Sequence, residues 1–145
     1  MSYKGYIHEN FHNIHPFSTK MPVMDGIVLN PIMKKDIGIT EKFLIDTGAE
    51  VNILRGIYED LLKINNNRIR WQKMLYLGGK SSTYLPVYKV GIEIKGYSFD
   101  SEAVIDKDRE FSLLGQAFFK KSLNVVAFRD NGQHQWITSF RFFKG

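Results

Sequence analysis

The 145-residue sequence predicts a single all-β domain, built as a closed or partly open β-barrel with one or two short helices. Three observations predict this fold class. Many short segments are rich in β-branched and aromatic residues, clusters of Gly, Asn and Asp separate them, and helical spacing of apolar residues is confined to short stretches. Hydrophobic residues make up 43% of the chain, which at this length is enough for a sizeable core.

The predicted strands follow one another along most of the chain. The clearest alternation of apolar and polar residues runs through 90–95, which is typical of a strand with one buried face. The turn Asp130-Asn131-Gly132 predicts a C-terminal β-hairpin. The predicted strands are 26–32, 39–45, 51–54, 69–77, 83–94, 97–105, 111–114, 124–128 and 135–140.

Two short helices and an N-terminal arm complete the predicted organisation. Apolar residues recur at helical spacing in 56–64, where a run of three Asn ends the segment, and a second short helix is predicted for 115–121. Residues 1–20 are polar and predict an irregular or extended arm, long enough to reach a cleft as a pro-segment. Residues 21–145 then form the folded domain, including the C-terminal hairpin.

Composition excludes several classes of protein. The absence of Cys rules out disulfides, thiolate metal sites and thiol nucleophiles. No apolar run approaches the roughly 20 residues of a membrane span, and the first residues do not resemble a signal peptide, so we expect a cytoplasmic protein without a membrane partner. The net charge of +5 is scattered over the sequence, so no nucleic-acid partner is expected.

Three histidines in the N-terminal arm have the spacing of one helix face, which raises the question of a metal site. His8, His12 and His15 lie at i, i+4 and i+7. Pro16 follows them directly, and no acidic residues are placed to support them as metal ligands. We therefore expect neither a metal nor another cofactor.

The most informative position is Asp46, where the apolar run 43–45 ends abruptly in an acid. A carboxylate at the end of a buried strand is costly unless hydrogen bonds or a shared proton compensate it. Thr47 can supply a hydroxyl group, and Gly48 allows the backbone to turn sharply. The pattern indicates a carboxyl group at the floor of a cleft, although a plain turn at a strand end would also fit it.

Two segments with a glycine pair between them resemble the retropepsin-like aspartic proteases. Residues 44–54 (LIDTGAEVNIL) resemble the Asp-Thr-Gly-Ala motif of that family, and residues 112–119 (SLLGQAFF) resemble its later apolar-apolar-Gly segment. Gly78 and Gly79 lie between two predicted strands, where the family has its flap hairpin, although a plain hairpin would also fit. The resemblance covers about residues 22–128 and implies a retropepsin-like barrel with a flap hairpin.

The resemblance implies a homodimeric aspartic endopeptidase that hydrolyses peptide or protein substrates. The motif occurs once, so a second copy of the chain has to supply the second carboxyl group. Two Asp46 carboxyls, one from each subunit, then activate a shared water as the catalytic pair. Thr47 and Gly48 belong to the active-site loop. Substrate contacts are implied for Ala49, Glu50, Leu77, Gly78, Gly79, Phe111 and Leu113.

The sequence also departs from the family pattern. Gln116 stands where the family usually has Arg, and Glu50 stands where viral members commonly have Asp, so an amide rather than a guanidinium is expected to face the carboxylate. The C-terminal hairpin extends beyond the end of viral members and provides another surface for a dimer. A catalytically silent peptide-binding or scaffolding module is therefore a second hypothesis, and a basic nucleic-acid-associated barrel is a third.

Overall fold

A computed structural model of the chain describes residues 3–31, 36–63, 68–75, 82–130 and 136–143. Within these residues, ten strands and two short α-helices account for nearly all regular structure. The strands are β1 (Tyr3–Asn10), β2 (Val23–Leu29), β3 (Asp36–Ile45), β4 (Asn52–Arg55), β5 (Arg68–Leu75), β6 (Ser82–Ile94), β7 (Tyr97–Asp106), β8 (Ser112–Leu114), β9 (Leu123–Asp130) and β10 (Trp136–Phe143). The helices are α1 (Glu59–Lys63), which follows a 3₁₀ helix at Gly56–Tyr58, and α2 (Gln116–Ser122).

Seven strands form the main sheet, and six of them close into a barrel. Their order is β2-β3-β8-β4-β7-β6-β5, and β2 pairs with β6 as well as with β3. The closing ladder is antiparallel and pairs Ile27 with Glu93 and Leu29 with Gly91. β5 extends the sheet beyond the closed ring through its pairing with β6. The prediction of an all-β barrel with short helices is therefore confirmed.

Two parallel pairings bring distant parts of the sequence together in the barrel. β3 runs parallel to β8, with Ile45 opposite Leu114, and β4 runs parallel to β7. The last residues of β3 and β8 therefore end side by side. This pairing places the Asp46 loop next to the start of α2, although about 70 residues separate them in the sequence.

The apolar side chains divide between a large core and a smaller cluster. Phe43 and Ile45 belong to the barrel core, whereas Leu44 faces the other side of the sheet, as expected for alternating strand residues. We call the smaller group of Leu44, Ile53 and Leu113 the Leu113 cluster. Partly buried apolar side chains pack on this cluster, namely those of Phe17, Met21, Ala49, Val51, Met74 and Phe111.

A separate three-stranded antiparallel sheet joins the two ends of the chain in the order β1-β10-β9. β9 and β10 pair as the C-terminal hairpin that the sequence predicts, with Asp130 opposite Trp136, and the tip lies outside the described residues. Residues 3–10 form a strand where the sequence predicts an irregular or extended arm. Their backbone groups pair with β10, a partner that cannot be recognised locally because it lies at the other end of the chain.

A buried ion pair links three strands of the barrel. Glu41 on β3 is only 6% exposed, and the Nε and Nη2 atoms of Arg55 donate to its two carboxylate oxygens at 2.8 and 2.9 Å. The Ser112 hydroxyl donates to the same carboxylate at 2.9 Å. The hydrogen bond to the Glu41 carboxylate raises the pKa of Arg55, so the guanidinium stays charged. The Glu41 carboxylate therefore joins β3 to β4 through Arg55 and to β8 through Ser112.

We expect Arg55→Leu to lower the free energy of unfolding by about 3 kcal/mol, because it leaves the buried Glu41 carboxylate without its counter-ion. Lys42→Leu is the matched control, since Lys42 forms an exposed pair with Asp25 at 3.2 Å and its loss should cost less than about 1 kcal/mol. Urea denaturation at one fixed protein concentration measures both values. Equal losses in the two variants would contradict the assigned role of the Glu41–Arg55 pair.

Candidate active site

Asp46 follows the last residue of β3 and begins a tight turn. Its backbone N–H donates to the Leu114 carbonyl at 3.0 Å, which continues the ladder with β8 by one residue. The Gly48 N–H donates to Asp46 Oδ1 at 3.0 Å, and the Ala49 N–H donates to the Asp46 carbonyl at 3.2 Å. The half-buried carboxyl group therefore points into its own turn, where a backbone donor holds one of its oxygens.

Hydrogen bonds from the first turn of α2 fix the position of the Asp46 loop. The backbone N–H groups of Gln116 and Ala117 donate to the carbonyls of Ala49 and Glu50 at 2.7 and 2.9 Å. N–H groups in the first turn of a helix have no partner within the helix, so here the loop carbonyls satisfy them. The Gln116 side chain adds a hydrogen bond from its amide nitrogen to the Thr47 carbonyl.

Gly115 permits the close approach of these two segments. A Cβ atom at this position would lie 2.4 Å from the Val51 carbonyl oxygen and 2.6 Å from that of Ala49. Side-chain carbon atoms essentially never come so close to backbone oxygens, so only glycine fits without a backbone shift. The glycine of the 112–119 segment is therefore required for that segment to pack against the Asp46 loop of the 44–54 segment.

Asn52 is a buried polar residue that links the loop to the barrel wall. Its side-chain nitrogen donates to the Ser101 hydroxyl and to the Glu102 carbonyl, both at 3.0 Å. Its side-chain oxygen accepts the Gly115 N–H at 2.8 Å. Sequence reasoning missed this role, although an amide in an otherwise apolar strand directly after the motif was the available signal.

The loop opens onto a cleft of about 510 Å³, which we call the Asp46 cleft. The predicted site residues that line it are Asp46, Gly48, Ala49, Glu50 and Leu113. The sequence did not single out the others, which are Val51, Ile53, Gln72, Lys73, Met74 and Arg109. Three of these come from β5 and one from the charged loop after β7, and no sequence pattern marks either segment as facing a cleft.

Thr47 and Phe111 are not among the residues that line the Asp46 cleft, and three further predicted residues are not described. Thr47 is exposed beside Asp46. Phe111 lines a neighbouring cavity of about 400 Å³, which we call the Phe111 cavity. Leu77, Gly78 and Gly79, and with them the predicted flap, lie outside the described residues.

Gln116 and Glu50 do not pair as the sequence comparison with the family suggested. The side-chain nitrogen of Gln116 donates a hydrogen bond to the Thr47 carbonyl. Within the described residues, the exposed Glu50 carboxylate has no hydrogen-bond or ion-pair partner and lines the Asp46 cleft. The backbone of Gln116 is hydrogen-bonded to the Ala49 carbonyl at the start of α2. From this position its side chain reaches the Thr47 carbonyl and does not bond to Glu50.

His12 and His15 of the N-terminal segment each contact one acid. The imidazole of His12 lies 3.2 Å from Glu9, and that of His15 lies 3.5 Å from Glu110. Among the residues that the structure describes, no group of three or more His, Asp and Glu side chains is arranged to hold a metal ion. In the same part of the chain, no helix has the length and apolar character needed to cross a membrane.

Comparison with solved structures identifies the fold. The chain matches a retropepsin-like aspartic protease from Rickettsia conorii with a TM-score of 0.61 and 16% identity, over 98% of this chain and 96% of that chain. It also matches EIAV protease complexed with the inhibitor HBY-793, with a TM-score of 0.50 and 21% identity, over 74% of this chain and 92% of that chain. No protein-family model and no curated protein matches the sequence. The protein therefore has the retropepsin-like fold that the sequence predicts.

We expect Gly115→Ala to lower the free energy of unfolding by about 2 kcal/mol, because its Cβ would collide with two fixed carbonyl oxygens under the Asp46 loop. Gly91→Ala is the control. Its Cβ would lie 3.1 Å from the Leu29 Cβ, a contact that a shift of a few tenths of an ångström between the two strands relieves, so we expect a smaller loss, of about 1 kcal/mol. Chemical denaturation compares the two, and a Gly115→Ala protein as stable as Gly91→Ala would refute the close-packing argument.

Proposed function

We propose that the protein is a homodimeric aspartic endopeptidase, in which the Asp46 carboxyls of two subunits activate one shared water. The observation that carries this proposal is the position of Asp46 in the fold. It lies half-buried at the end of a barrel strand, with a backbone donor on one oxygen and an open cleft beside it. The similarity to solved aspartic proteases supports the same interpretation.

The surface next to Asp46 supports a dimer. Thr47 and Gly48 are exposed in the single chain, although the loop that carries them is tied firmly to α2 and β8. A rigid, exposed loop with one carboxyl group provides half of a two-carboxyl site. A two-fold axis beside this loop would bring the second Asp46 within reach and cover Thr47, which would then brace the two loops across the interface.

The chemistry requires two carboxyls in different protonation states. Two carboxyls a few Å apart cannot both ionise cheaply, so they share one proton. The ionised member takes a proton from water while the protonated member donates to the peptide carbonyl oxygen, and water oxygen bonds to the carbonyl carbon. A proton then moves to the amide nitrogen, the carbon–nitrogen bond breaks, and an acid and an amine leave.

The substrate would lie along the Asp46 cleft. Ala49, Ile53 and Leu113 give it an apolar lining, and the exposed Glu50 carboxylate stands among the lining residues as an acceptor. We assign peptide contacts to Ala49, Glu50 and Leu113. The flap role of Gly78 and Gly79, which would exclude bulk water during the reaction, stays a prediction from the sequence.

One observation favours a catalytically silent peptide-binding module as a second candidate. The Gln116 side chain donates to the Thr47 carbonyl of its own chain. Glu50 has no cationic partner among the described residues. A carboxylate–guanidinium pair, which would strengthen the edge of the cleft and the dimer, is thus missing at this position. Peptide affinity without cleavage would be the outcome expected of such a module.

We expect Asp46→Asn to reduce cleavage of an unfolded protein substrate by about 10²–10⁴-fold, because an amide cannot act as the general base. Asp25→Asn is the matched control, since this carboxylate lies on β2 in an exposed pair with Lys42 and should be dispensable. Gel analysis of timed digests measures the rates, and peptide-binding assays show whether the variant still binds substrate. Full cleavage by Asp46→Asn would refute the proposal, and binding without cleavage by the unmodified protein would favour the silent module.

A further inference from the structure

Arg109 is a charged residue of the cleft to which the proposed mechanism assigns no role. It lies in the loop between β7 and β8 and lines both the Asp46 cleft and the Phe111 cavity. Its Nε atom is 3.7 Å from Asp106 Oδ2, and its guanidinium carbon is 5.5 Å from the centre of the Phe111 ring. The guanidinium group is thus held between a buried acid and an aromatic face.

The groups that hold Arg109 are themselves fixed. The Asp106 side chain accepts the Asp108 N–H at 3.1 Å, and the Asp106 carbonyl accepts the Arg109 N–H at 3.2 Å, which closes the loop into a tight turn. The Phe111 ring is packed against the Phe17 ring at a centroid distance of 5.0 Å. Arg109 is therefore pre-organised, which lowers the entropic cost of binding a ligand with its side chain.

The guanidinium group retains unused hydrogen-bonding capacity. A guanidinium has five N–H donors, and within the described residues the terminal nitrogens of Arg109 donate no hydrogen bond. Its side chain is 26% exposed, so these donors are accessible from the cleft. The acids next to Arg109 in the sequence, which are Asp106, Asp108 and Glu110, line the Phe111 cavity, whereas the acids that line the Asp46 cleft together with Arg109 are Asp46 and Glu50.

The second basic residue of the cleft is less well placed. Lys73 is followed on β5 by Met74, whose side chain packs on the Leu113 cluster. Adjacent residues of a strand point to opposite faces, so the exposed Lys73 side chain points away from this cluster. Leu113 is an apolar lining residue of the cleft. Arg109 is therefore the cation best placed to meet a side chain that lies on Leu113.

We propose that Arg109 selects peptides with a glutamate side chain at the position that occupies this pocket. The methylene groups of the glutamate would lie on Leu113, and its carboxylate would pair with the terminal nitrogens of Arg109. This inference rests on the proposed function only in placing a peptide in the Asp46 cleft, and it also applies if the protein binds peptides without cutting them. The substrate class is then a peptide that combines apolar residues with one acidic side chain.

The test uses fluorescent apolar peptides that carry Glu at each position in turn, compared with the same peptides carrying Gln. We expect the Asp46→Asn protein to bind the best Glu peptide about tenfold more tightly than its Gln counterpart, measured by fluorescence anisotropy. Adding Arg109→Gln should reduce this ratio to about one. Lys107→Gln is the matched control, because it removes a positive charge from the same loop at a residue paired with Glu59 outside the cleft, and it should retain the ratio.

Cleavage provides a second, independent measurement. If the unmodified protein cuts these peptides, kcat/KM should show the same Glu over Gln preference and the same dependence on Arg109. Selective binding of Glu peptides without cleavage would refute the proposed endopeptidase and leave the Arg109 assignment intact. Equal affinity for Glu and Gln peptides, absence of binding by every Glu peptide, or a Glu preference that survives Arg109→Gln would each overturn the assignment. Loss of such a surviving preference in Lys73→Gln would assign it to Lys73 instead.

Discussion

The backbone contact between the Asp46 loop and the start of α2 is the constraint on which the candidate site depends. It brings Gly115 within a distance of the Ala49 and Val51 carbonyls that no other residue type allows. Helix N–H groups and loop carbonyls satisfy one another across this contact, which ties the two segments together. The carboxyl group of Asp46 is therefore held by the backbone, and its position should not depend on bound substrate.

The barrel keeps this contact in place through buried polar groups that have complete sets of partners. Asn52 connects Gly115 to β7, and Glu41 connects β3 to Arg55 and to Ser112. Buried polar groups are costly when unpaired, so each of them favours one register of the strands over its alternatives. The parallel pairing of β3 with β8 follows from these links as well as from the apolar core. These links hold the exposed Asp46 loop against a fixed part of the barrel.

Features of the fold that depend on local sequence could be predicted, whereas those that depend on distant partners could not. Strand alternation and the abrupt end of an apolar run at Asp46 are local signals, and they led to the barrel and to the candidate carboxyl. Tyr3–Asn10 form a strand only because β10 offers an edge from the other end of the chain. Arg109 lies in a charged loop whose sequence indicates solvent exposure, and only the tertiary fold turns it toward the cleft. The partner of Gln116 was likewise set by the packing of α2 against the loop.

The central claim is that each active site takes one Asp46 from each of two subunits. A mixing experiment tests it most directly: the unmodified protein is held at a fixed concentration while Asp46→Asn protein is added in excess, and peptide cleavage is measured after subunit exchange. Because a mixed dimer has a single carboxyl at its axis, we predict that cleavage falls toward zero as the variant is added. Cleavage that stays constant and proportional to the unmodified protein alone would contradict a shared catalytic pair.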